Sequence, residues 1–281
     1  MNLTVAIIGA GRMGQGLALA LTRAGRELIL LGRTPRSLIP PLALHQGDRV
    51  SAIRGAGLVL IATPDDTISG IAAGLRDDRS IEAHHTVLHL SGLLDRGALS
   101  ALESTGAALG SFHPLQSVAD PALAPDRLAG SYAGIEGDER ALQAGDCLAT
   151  TLGMIPVRLP IQAKPLYHAG AVVAANYTVV LASMAERLAR SAGLPWDTAG
   201  KLYLPLIRGT LANLQSGAAA ALTGPVRRGD LATIKAHLAV LGGEERQLYR
   251  ILGLAALRVA REAGLSPDKA QAVEALLEAA D

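Results

Sequence analysis

The feature that most constrains the fold is a glycine-rich loop, Gly9-Ala10-Gly11-Arg12-Met13-Gly14, near the start of the chain. It directly follows an apolar, β-branched run at residues 3–8, which predicts a buried strand. It is followed by a segment at 15–24 in which leucines recur with helical spacing. A strand, a glycine loop and a helix in this order predict the first unit of a dinucleotide-binding fold.

Each glycine of the loop has its own use in such a fold. Gly9 permits a tight turn, Gly11 lets the backbone approach a pyrophosphate, and Gly14 lets the helix pack closely on the strand. The helix N-terminus at Arg12 and Met13 attracts the phosphate charge. We therefore expect these five residues to bind a dinucleotide, the alternative being a glycine-rich turn without a ligand.

Apolar runs separated by helical segments continue through the first half of the chain. They predict strands at 27–31, 58–62, 86–90 and 108–112, and the sheet is extended by 132–135 and 155–159. Strands alternating with helices favour right-handed crossovers and a parallel, doubly wound Rossmann sheet.

The pattern changes after about residue 160, where only helical periodicity continues. Helices are expected at 165–192, 197–214, 230–241, 244–263 and 266–280, the second of them interrupted by Pro205. The fold class is therefore α/β, with a dinucleotide-binding domain at 1–160 and an all-α domain for substrate binding and dimerisation at 161–281.

The residues after the second strand indicate which dinucleotide binds. Sites that prefer NAD place an Asp or Glu there to bind the ribose hydroxyl, but this chain has Arg33, Thr34 and Arg36. A guanidinium beside a hydroxyl suits a 2′-phosphate, so NADPH is favoured over NADH. A solvated basic turn is the alternative.

Two further segments are expected at the carboxyl edge of the sheet, where ligands of such folds bind. Thr63 and Pro64 follow the third strand and point to the ribose side of the cofactor, unless this is a plain turn in which Asp65 or Asp66 caps the next helix. Ser91 follows the fourth strand and is expected near the cofactor as well.

His113 is the first candidate for chemistry. It lies between Phe112 and Pro114 at the end of the fifth strand, a rigid position from which to present an imidazole. With a pKa near neutrality it could donate a proton to a carbonyl or imine as hydride arrives. The alternative is a histidine that only satisfies backbone groups at a turn.

The first helix of the second half carries polar residues on one face. Lys164, His168 and Asn176 fall at i, i+4 and i+12, with Val172 between them. A substrate cleft would explain polar groups on an otherwise apolar helix. The alternative is that Lys164 and His168 are exposed near the helix start while Asn176 bonds a neighbouring helix.

The most distinctive string of the second half is Thr223-Gly224-Pro225-Val226-Arg227-Arg228-Gly229-Asp230. Asp230 is a good N-cap for a helix that begins at Leu231. Arg227 and Arg228 could hold a substrate carboxylate, but the pattern favours a loop followed by a cap.

Composition limits the other classes of function. A net charge of +1 and 2% aromatic residues disfavour nucleic acid as a partner. The single cysteine, Cys147, excludes an intramolecular disulfide and suits the cytoplasm. The apolar stretch 169–185 contains polar residues and is short for a membrane span, so a buried core helix is expected there and no membrane. No histidine or cysteine spacing indicates a metal site.

The chain resembles the 6-phosphogluconate-dehydrogenase-like superfamily, which includes ketopantoate reductases and pyrroline-carboxylate reductases. Within it, the chain is similar to the Rossmann-like oxidoreductases whose C-terminal half is catalogued as domain of unknown function 2520. The strings that carry this likeness are His113-Pro114-Leu115-Gln116, Tyr167-His168-Ala169 with Asn176, and Thr223-Gly224-Pro225 with Arg228-Gly229-Asp230.

The resemblance implies NAD(P)-dependent reduction by a homodimer, with the active site in the cleft between the two halves. Related enzymes use a lysine close before a helix asparagine. Asn176 matches that asparagine, but Val172 stands one turn before it and Lys164 lies further back, which favours His168 and His113 as proton donors.

Three functions follow. The first is NADPH-dependent reduction of a small 2-oxo acid such as ketopantoate, with His113 or His168 as acid, Asn176 orienting the carbonyl and Lys164 or an arginine of the Thr223 loop holding the carboxylate. The second is an imine or pyrroline-carboxylate reductase. The third is a regulator that senses NADPH without turnover.

Overall fold

The computed structural model describes residues 4–32 and 37–279. The chain divides into two compact units, residues 1–176 and 177–281. The seven strands of the described residues lie in the first unit, in the order β1 Val5–Ile8, β2 Leu28–Leu31, β3 Leu58–Ile61, β4 Thr86–His89, β5 Ala108–Pro114, β6 Tyr132–Gly137 and β7 Ile155–Arg158. All seven strands predicted from the sequence are confirmed.

The helices follow the predicted alternation. They are α1 Arg12–Arg23, α2 Arg49–Arg54, α3 Asp65–Asp77, α4 Ala124–Leu128, α5 Glu139–Thr151, α6 Lys164–Ser191, α7 Trp196–Leu202, α8 Leu204–Asn213, α9 Ala218–Ala221, α10 Pro225–Arg228, α11 Leu231–Val240, α12 Gly243–Glu262 and α13 Pro267–Glu278. Short 3-10 segments occupy Arg96–Thr105, Pro121–Leu123 and Leu214–Ser216.

The strands form one sheet in the order β2-β1-β3-β4-β5-β6-β7. The first five strands are parallel, which confirms the doubly wound Rossmann arrangement of the N-terminal part. The carboxyl ends of β1, β3, β4 and β5 therefore lie along one edge, and the loops that follow them are neighbours.

A purely parallel sheet was expected, and this is wrong at one pair: β6 runs antiparallel to β5. The connection between them holds the 3-10 segment Pro121–Leu123 and the five-residue helix α4. It brings the chain back into the sheet at the edge where β5 ends, and Ser111 and His113 pair with Glu136 and Gly134.

Alternation along the strands divides the core of this unit into two layers. In β1, Val5 and Ile7 pack in one hydrophobic cluster together with Leu17 and Leu21 of α1. Their neighbours Ala6 and Ile8 belong to the cluster on the other face, which α3 helps to cover. Strands buried on both faces read as continuous apolar runs, which is why they could be recognised in the sequence.

The described residues of the second unit are helices and turns, as expected. Pro205 interrupts the predicted helix as foreseen: α7 ends at Leu202 and Pro205 lies in the first turn of α8. The Asp230 carboxylate accepts hydrogen bonds from the backbone N–H and hydroxyl of Thr233 and caps α11, which confirms the N-cap prediction.

The contacts of the two arginines agree with a loop followed by a cap. Arg227 donates to the carbonyl oxygen of Ala263, just past the end of α12, and Arg228 lies 3.8 Å from Asp230. In the structure both guanidinium groups therefore have partners within the second unit.

Helix α6 is long and apolar enough to cross a membrane by length and composition, the one such helix in the described residues. Only 6% of its most apolar window is buried within the chain. The prediction of a buried core helix at 169–185 is therefore wrong, and the apolar side of α6 needs another explanation.

Candidate active site

The glycine loop has the shape that its sequence predicts. Gly9 has φ +118°, in the region that favours glycine, and a methyl group added there would collide with the carbonyl oxygen of Ala62. A methyl group on Gly14 would collide with the carbonyl oxygen of Gly9. A methyl group on Gly11 would meet no atom within 4 Å. The surface above Gly11 is therefore open to a ligand.

The first turn of α1 has backbone N–H groups that could bind an anion. Its N-cap residue Gly11 provides no side-chain hydrogen bond, and its first turn holds no acidic residue. The backbone N–H groups there, beginning with Arg12 and Met13, are the donors a phosphate requires. Buried Gln15 supports the loop: its amide donates to the carbonyl oxygen of Ala10 and accepts from the N–H of Ile39. These residues fit a dinucleotide pyrophosphate.

The predicted readers of the 2′-phosphate, Arg33, Thr34 and Arg36, lie outside the described residues. Their role stays a prediction that follows from the sequence.

The segment after β3, which lies beside the glycine loop, is hydrogen-bonded to the turn after β4. The alternative in which Asp65 or Asp66 caps α3 is wrong, because the N-cap is Pro64 and the helix start has no side-chain cap. The Asp65 carboxylate instead accepts a hydrogen bond of 2.7 Å from the Ser91 hydroxyl. Thr63 lies beside this segment and its hydroxyl accepts from Thr67.

Ser91 is buried and its hydroxyl is fully engaged within the protein. Besides donating to Asp65, it accepts from the backbone N–H groups of Leu93 and Leu94. The side chain thus shapes the turn after β4. Its predicted contact with the cofactor remains untested, and the hydroxyl has no further proton to give.

His89, the last residue of β4, is completely buried and holds the same turn. Its Nδ1 accepts from the N–H of Ser91, so its Nε2 carries the proton and donates to the carbonyl oxygen of Asp95 at 2.9 Å. Burial lowers the pKa of His89 to about 4.

Lys164 is almost completely buried, with only 1% of the residue exposed. Its ammonium donates to the carbonyl oxygen of Ser91 at 2.6 Å and to the hydroxyl of Ser111 at 2.7 Å. Burial lowers the pKa of Lys164 to about 8, against the opposing effect of Glu136 and two aspartates. The alternative of an exposed lysine at the helix start is therefore wrong.

Glu136 and Ser111 lie behind this ammonium. They face each other across β5 and β6, and the Ser111 hydroxyl is 3.5 Å from the Glu136 carboxylate. The carboxylate also accepts from the N–H of Arg96 at 2.9 Å, and burial raises the pKa of Glu136. Neither residue was singled out from the sequence.

Two imidazoles converge above the turn after β4. A methyl group on Gly92 would collide with Nδ1 of His168 and lie 2.9 Å from Nε2 of His113. The two rings are perpendicular, with centroids 5.7 Å apart. Nδ1 of His168 is buried and has no hydrogen-bond partner among the described residues. The lack of a side chain at Gly92 thus lets both imidazoles pack against this turn, with Nδ1 of His168 and Nε2 of His113 beside Gly92.

His113 also contacts Tyr167, which sequence reasoning quoted but assigned no role. The phenol oxygen lies 3.0 Å from Nδ1 of His113. Burial lowers the pKa of His113 to about 4, and the charges of Lys164 and His168 act in the same direction. The expectation that the pKa of His113 lies near 7 is therefore wrong for the protein without substrate. In that state the His113 imidazole is uncharged at pH 7.

The structure thus brings His113, His168 and Lys164 together but leaves Asn176 apart. An α-helix rises about 1.5 Å per residue, so Asn176 lies about 12 Å beyond His168 along α6. Its side chain is exposed. Its predicted contact with the substrate remains a prediction.

The sequence signal that could have identified Ser111 and Glu136 is the spacing of polar residues along the two strands. Ser111 and His113 are two residues apart on β5, as Gly134 and Glu136 are on β6. Polar residues at every second position share one face of a strand. Only the antiparallel pairing of these two strands shows that the four residues meet.

Two family models match the chain. Residues 4–89 match the family described as NADP oxidoreductase coenzyme F420-dependent, and residues 131–256 match domain of unknown function 2520. No curated protein matches the sequence.

Solved structures share the fold over nearly the whole chain. A candidate NADP oxidoreductase from Bacteroides fragilis is 21% identical, with a TM-score of 0.67 over 93% of this chain and 98% of its own. Protein TM1727 from Thermotoga maritima is 24% identical, with a TM-score of 0.65 over 92% and 98%. Pyrroline carboxylate reductase from Plasmodium falciparum, solved with NADP bound, is 13% identical, with a TM-score of 0.61 over 99% of both chains.

The glycine loop yields a prediction with a built-in control. Gly14→Ala forces the backbone of Gly9 to move and should lower the free energy of unfolding by about 1–3 kcal/mol. Gly11→Ala should leave stability within about 0.5 kcal/mol of the natural protein but weaken NADPH binding at least tenfold, because the methyl group occupies the open surface. Urea unfolding and fluorescence titration measure the two effects. Unchanged NADPH affinity in Gly11→Ala would contradict the assignment of the loop.

Buried His89 yields a prediction about acid stability. Its pKa falls from 6.5 to about 4 on folding, so the unfolded chain binds the proton first as the pH decreases. The free energy of unfolding should therefore decline between pH 6.5 and 4, by up to about 3 kcal/mol for this group, with His113 adding to the slope. His89→Gln should flatten the slope, whereas exposed His45→Gln should not. Equal slopes for both variants would show that His89 is not responsible.

Proposed function

Because the chain belongs to the NADP-dependent oxidoreductases that carry domain of unknown function 2520, we propose that it reduces the carbonyl group of a small 2-oxo acid. Ketopantoate is the first candidate substrate. The observation that carries this proposal is the convergence of His113 and His168 on Gly92, at the edge of the sheet where the cofactor loop lies.

Bound NADPH supplies the hydride that the carbonyl carbon gains. Reduction of a carbonyl group to an alcohol adds one hydride and one proton. The chain's own residues therefore have to bind the carbonyl oxygen and supply the proton that it takes up. Nε2 of His113 lies beside Gly92, and we propose that the carbonyl oxygen binds within its reach, where Nε2 can donate a hydrogen bond to it. A neutral imidazole polarises a carbonyl in this way without carrying charge.

The unpartnered Nδ1 of His168 marks the same position. A buried polar atom without a partner costs stability, and a substrate oxygen or carboxylate can satisfy it. An anionic substrate also favours the protonated form of a nearby imidazole. Substrate binding should therefore raise the pKa of His113 and make a proton available when the alkoxide forms.

Lys164 holds the turn against which the two histidines pack. Being 1% exposed, it cannot hold the substrate carboxylate as the sequence suggested. Its ammonium fixes the Ser91 carbonyl group and the Ser111 hydroxyl, and so the turn that carries Gly92. We propose that it orients the site.

Reduction of a cyclic imine is the second candidate, and the low pKa of His113 favours it. An iminium arrives already protonated and requires no acid from the protein. The positive charge of Lys164, which disfavours a second cation near His113, is why the oxo acid is preferred.

The test follows NADPH oxidation with a panel of 2-oxo acids and cyclic imines. We expect turnover with an oxo acid, and a loss of about 100-fold or more in kcat for His113→Asn with unchanged NADPH affinity. His84→Gln, at an exposed histidine, is the matched control. Turnover with imines alone would favour the second candidate. NADPH binding without any turnover would overturn both and favour a sensing role.

We also propose that the protein acts as a homodimer in the cytoplasm, where its exposed Cys147 would stay reduced. The support is the apolar surface of the C-terminal helices. Val179, Trp196 and Leu206 are 69%, 72% and 66% exposed, and α6 is uncovered along most of its apolar window. An apolar helix side that is left uncovered over this length is typical of interaction sites.

Light scattering at micromolar concentration should give twice the mass of the 28.9 kDa chain. Val179→Glu should shift the protein towards the monomer, because a carboxylate cannot be buried without a partner. Lys235→Glu, at an exposed polar position of α11, should leave the dimer intact. A natural protein of monomeric mass would contradict the proposal.

A further inference from the structure

Tyr167 is hydrogen-bonded to His113, and the reaction proposed above does not use it. It lies on α6 three residues after the buried Lys164. Its phenol oxygen is 3.0 Å from Nδ1 of His113, and the two rings meet edge to face with centroids 5.6 Å apart.

The strand opposite His113 makes room for this phenol. Gly134 pairs with His113 in the antiparallel register. A methyl group on Gly134 would lie 2.7 Å from the phenol oxygen of Tyr167 and 2.9 Å from the carbon that bears it. Any side chain at this position would displace the tyrosine from His113.

The direction of this hydrogen bond follows from the proton of the phenol. Burial raises the pKa of Tyr167, so the phenol keeps its proton at neutral pH. His113 Nδ1 is the hydrogen-bond partner that the structure gives to this hydroxyl. The phenol therefore donates and Nδ1 accepts.

A neutral imidazole carries one proton, on one of its two nitrogens. When Nδ1 accepts from a phenol, the proton must be on Nε2. Nε2 is the nitrogen that faces Gly92.

We infer that Tyr167 is a positioning residue that holds His113 in the tautomer with its proton on Nε2, directed at the position above Gly92. This inference rests on the proposed function for its consequence, that Nε2–H binds the carbonyl oxygen of the substrate. The tautomer itself is a property of the protein without substrate. The opposite tautomer would present a lone pair to the carbonyl oxygen and repel it.

The first experiment reads the tautomer directly. Nitrogen-15 NMR of the histidine side chains distinguishes a protonated from an unprotonated ring nitrogen, and His113→Asn identifies the signals of His113 among the seven histidines. At pH 7 we expect Nε2 protonated and Nδ1 unprotonated. A proton on Nδ1 overturns the inference, whatever the protein catalyses.

The second experiment removes only the phenol hydroxyl. In Tyr167→Phe the Nδ1 signal should move away from its hydrogen-bonded value, and kcat should fall about tenfold while KM changes little, as expected for loss of orientation. Tyr132→Phe, at a half-exposed tyrosine on the same strand as Gly134, should change neither. An Nδ1 signal in Tyr167→Phe identical to that of the natural protein contradicts the inference.

The two experiments separate this inference from the proposed function. A protein that turns over no oxo acid or imine, but shows the Nε2 tautomer and its dependence on Tyr167, refutes the function alone. Turnover with an unchanged tautomer and unchanged kcat in Tyr167→Phe refutes the role of Tyr167 alone.

Discussion

The arrangement of the candidate site depends on one buried cation. Desolvating an ammonium costs several kcal/mol unless polar groups replace its water. Lys164 finds them in the carbonyl oxygen of Ser91, in the turn after β4, and in the hydroxyl of Ser111, in the middle of β5. The start of α6 is thereby fixed to the carboxyl edge of the sheet. Tyr167 and His168, one turn further along the helix, are placed beside His113 as a result.

Glycines provide the space that this anchoring requires. Gly92 and Gly134 lie on opposite sides of His113, and a side chain at either would displace a neighbouring ring. The loop after β1 uses the same means: Gly9 and Gly14 permit close backbone contacts, whereas Gly11 leaves its surface open. Glycine therefore serves two purposes, close packing at some positions and an open surface at others. Only the structure shows which purpose a given glycine serves.

The sequence predicts the strands and the break at Pro205 well, because strands buried on both faces and helix-breaking residues leave local signals. It also predicts the shape of the glycine loop, which depends on neighbouring residues, and the position of His113 near the end of β5. It misses Glu136 and the role of Tyr167, since both depend on the antiparallel pairing of β6, a contact between distant residues. It also misjudges the pKa of His113, because burial and the charge of Lys164 are properties of the assembled fold.

Burial and the charge of Lys164 also determine when His113 can carry a proton. In the free protein both disfavour a positive charge on its imidazole, so His113 stays neutral. A substrate carboxylate near Gly92 would offset that effect and favour protonation. Proton supply would then be coupled to the arrival of an anionic substrate, and a neutral ligand of the same shape would bind without acquiring an acid. Discrimination between anionic and neutral substrates would therefore appear in kcat more than in binding, because the missing proton is required only as the alkoxide forms.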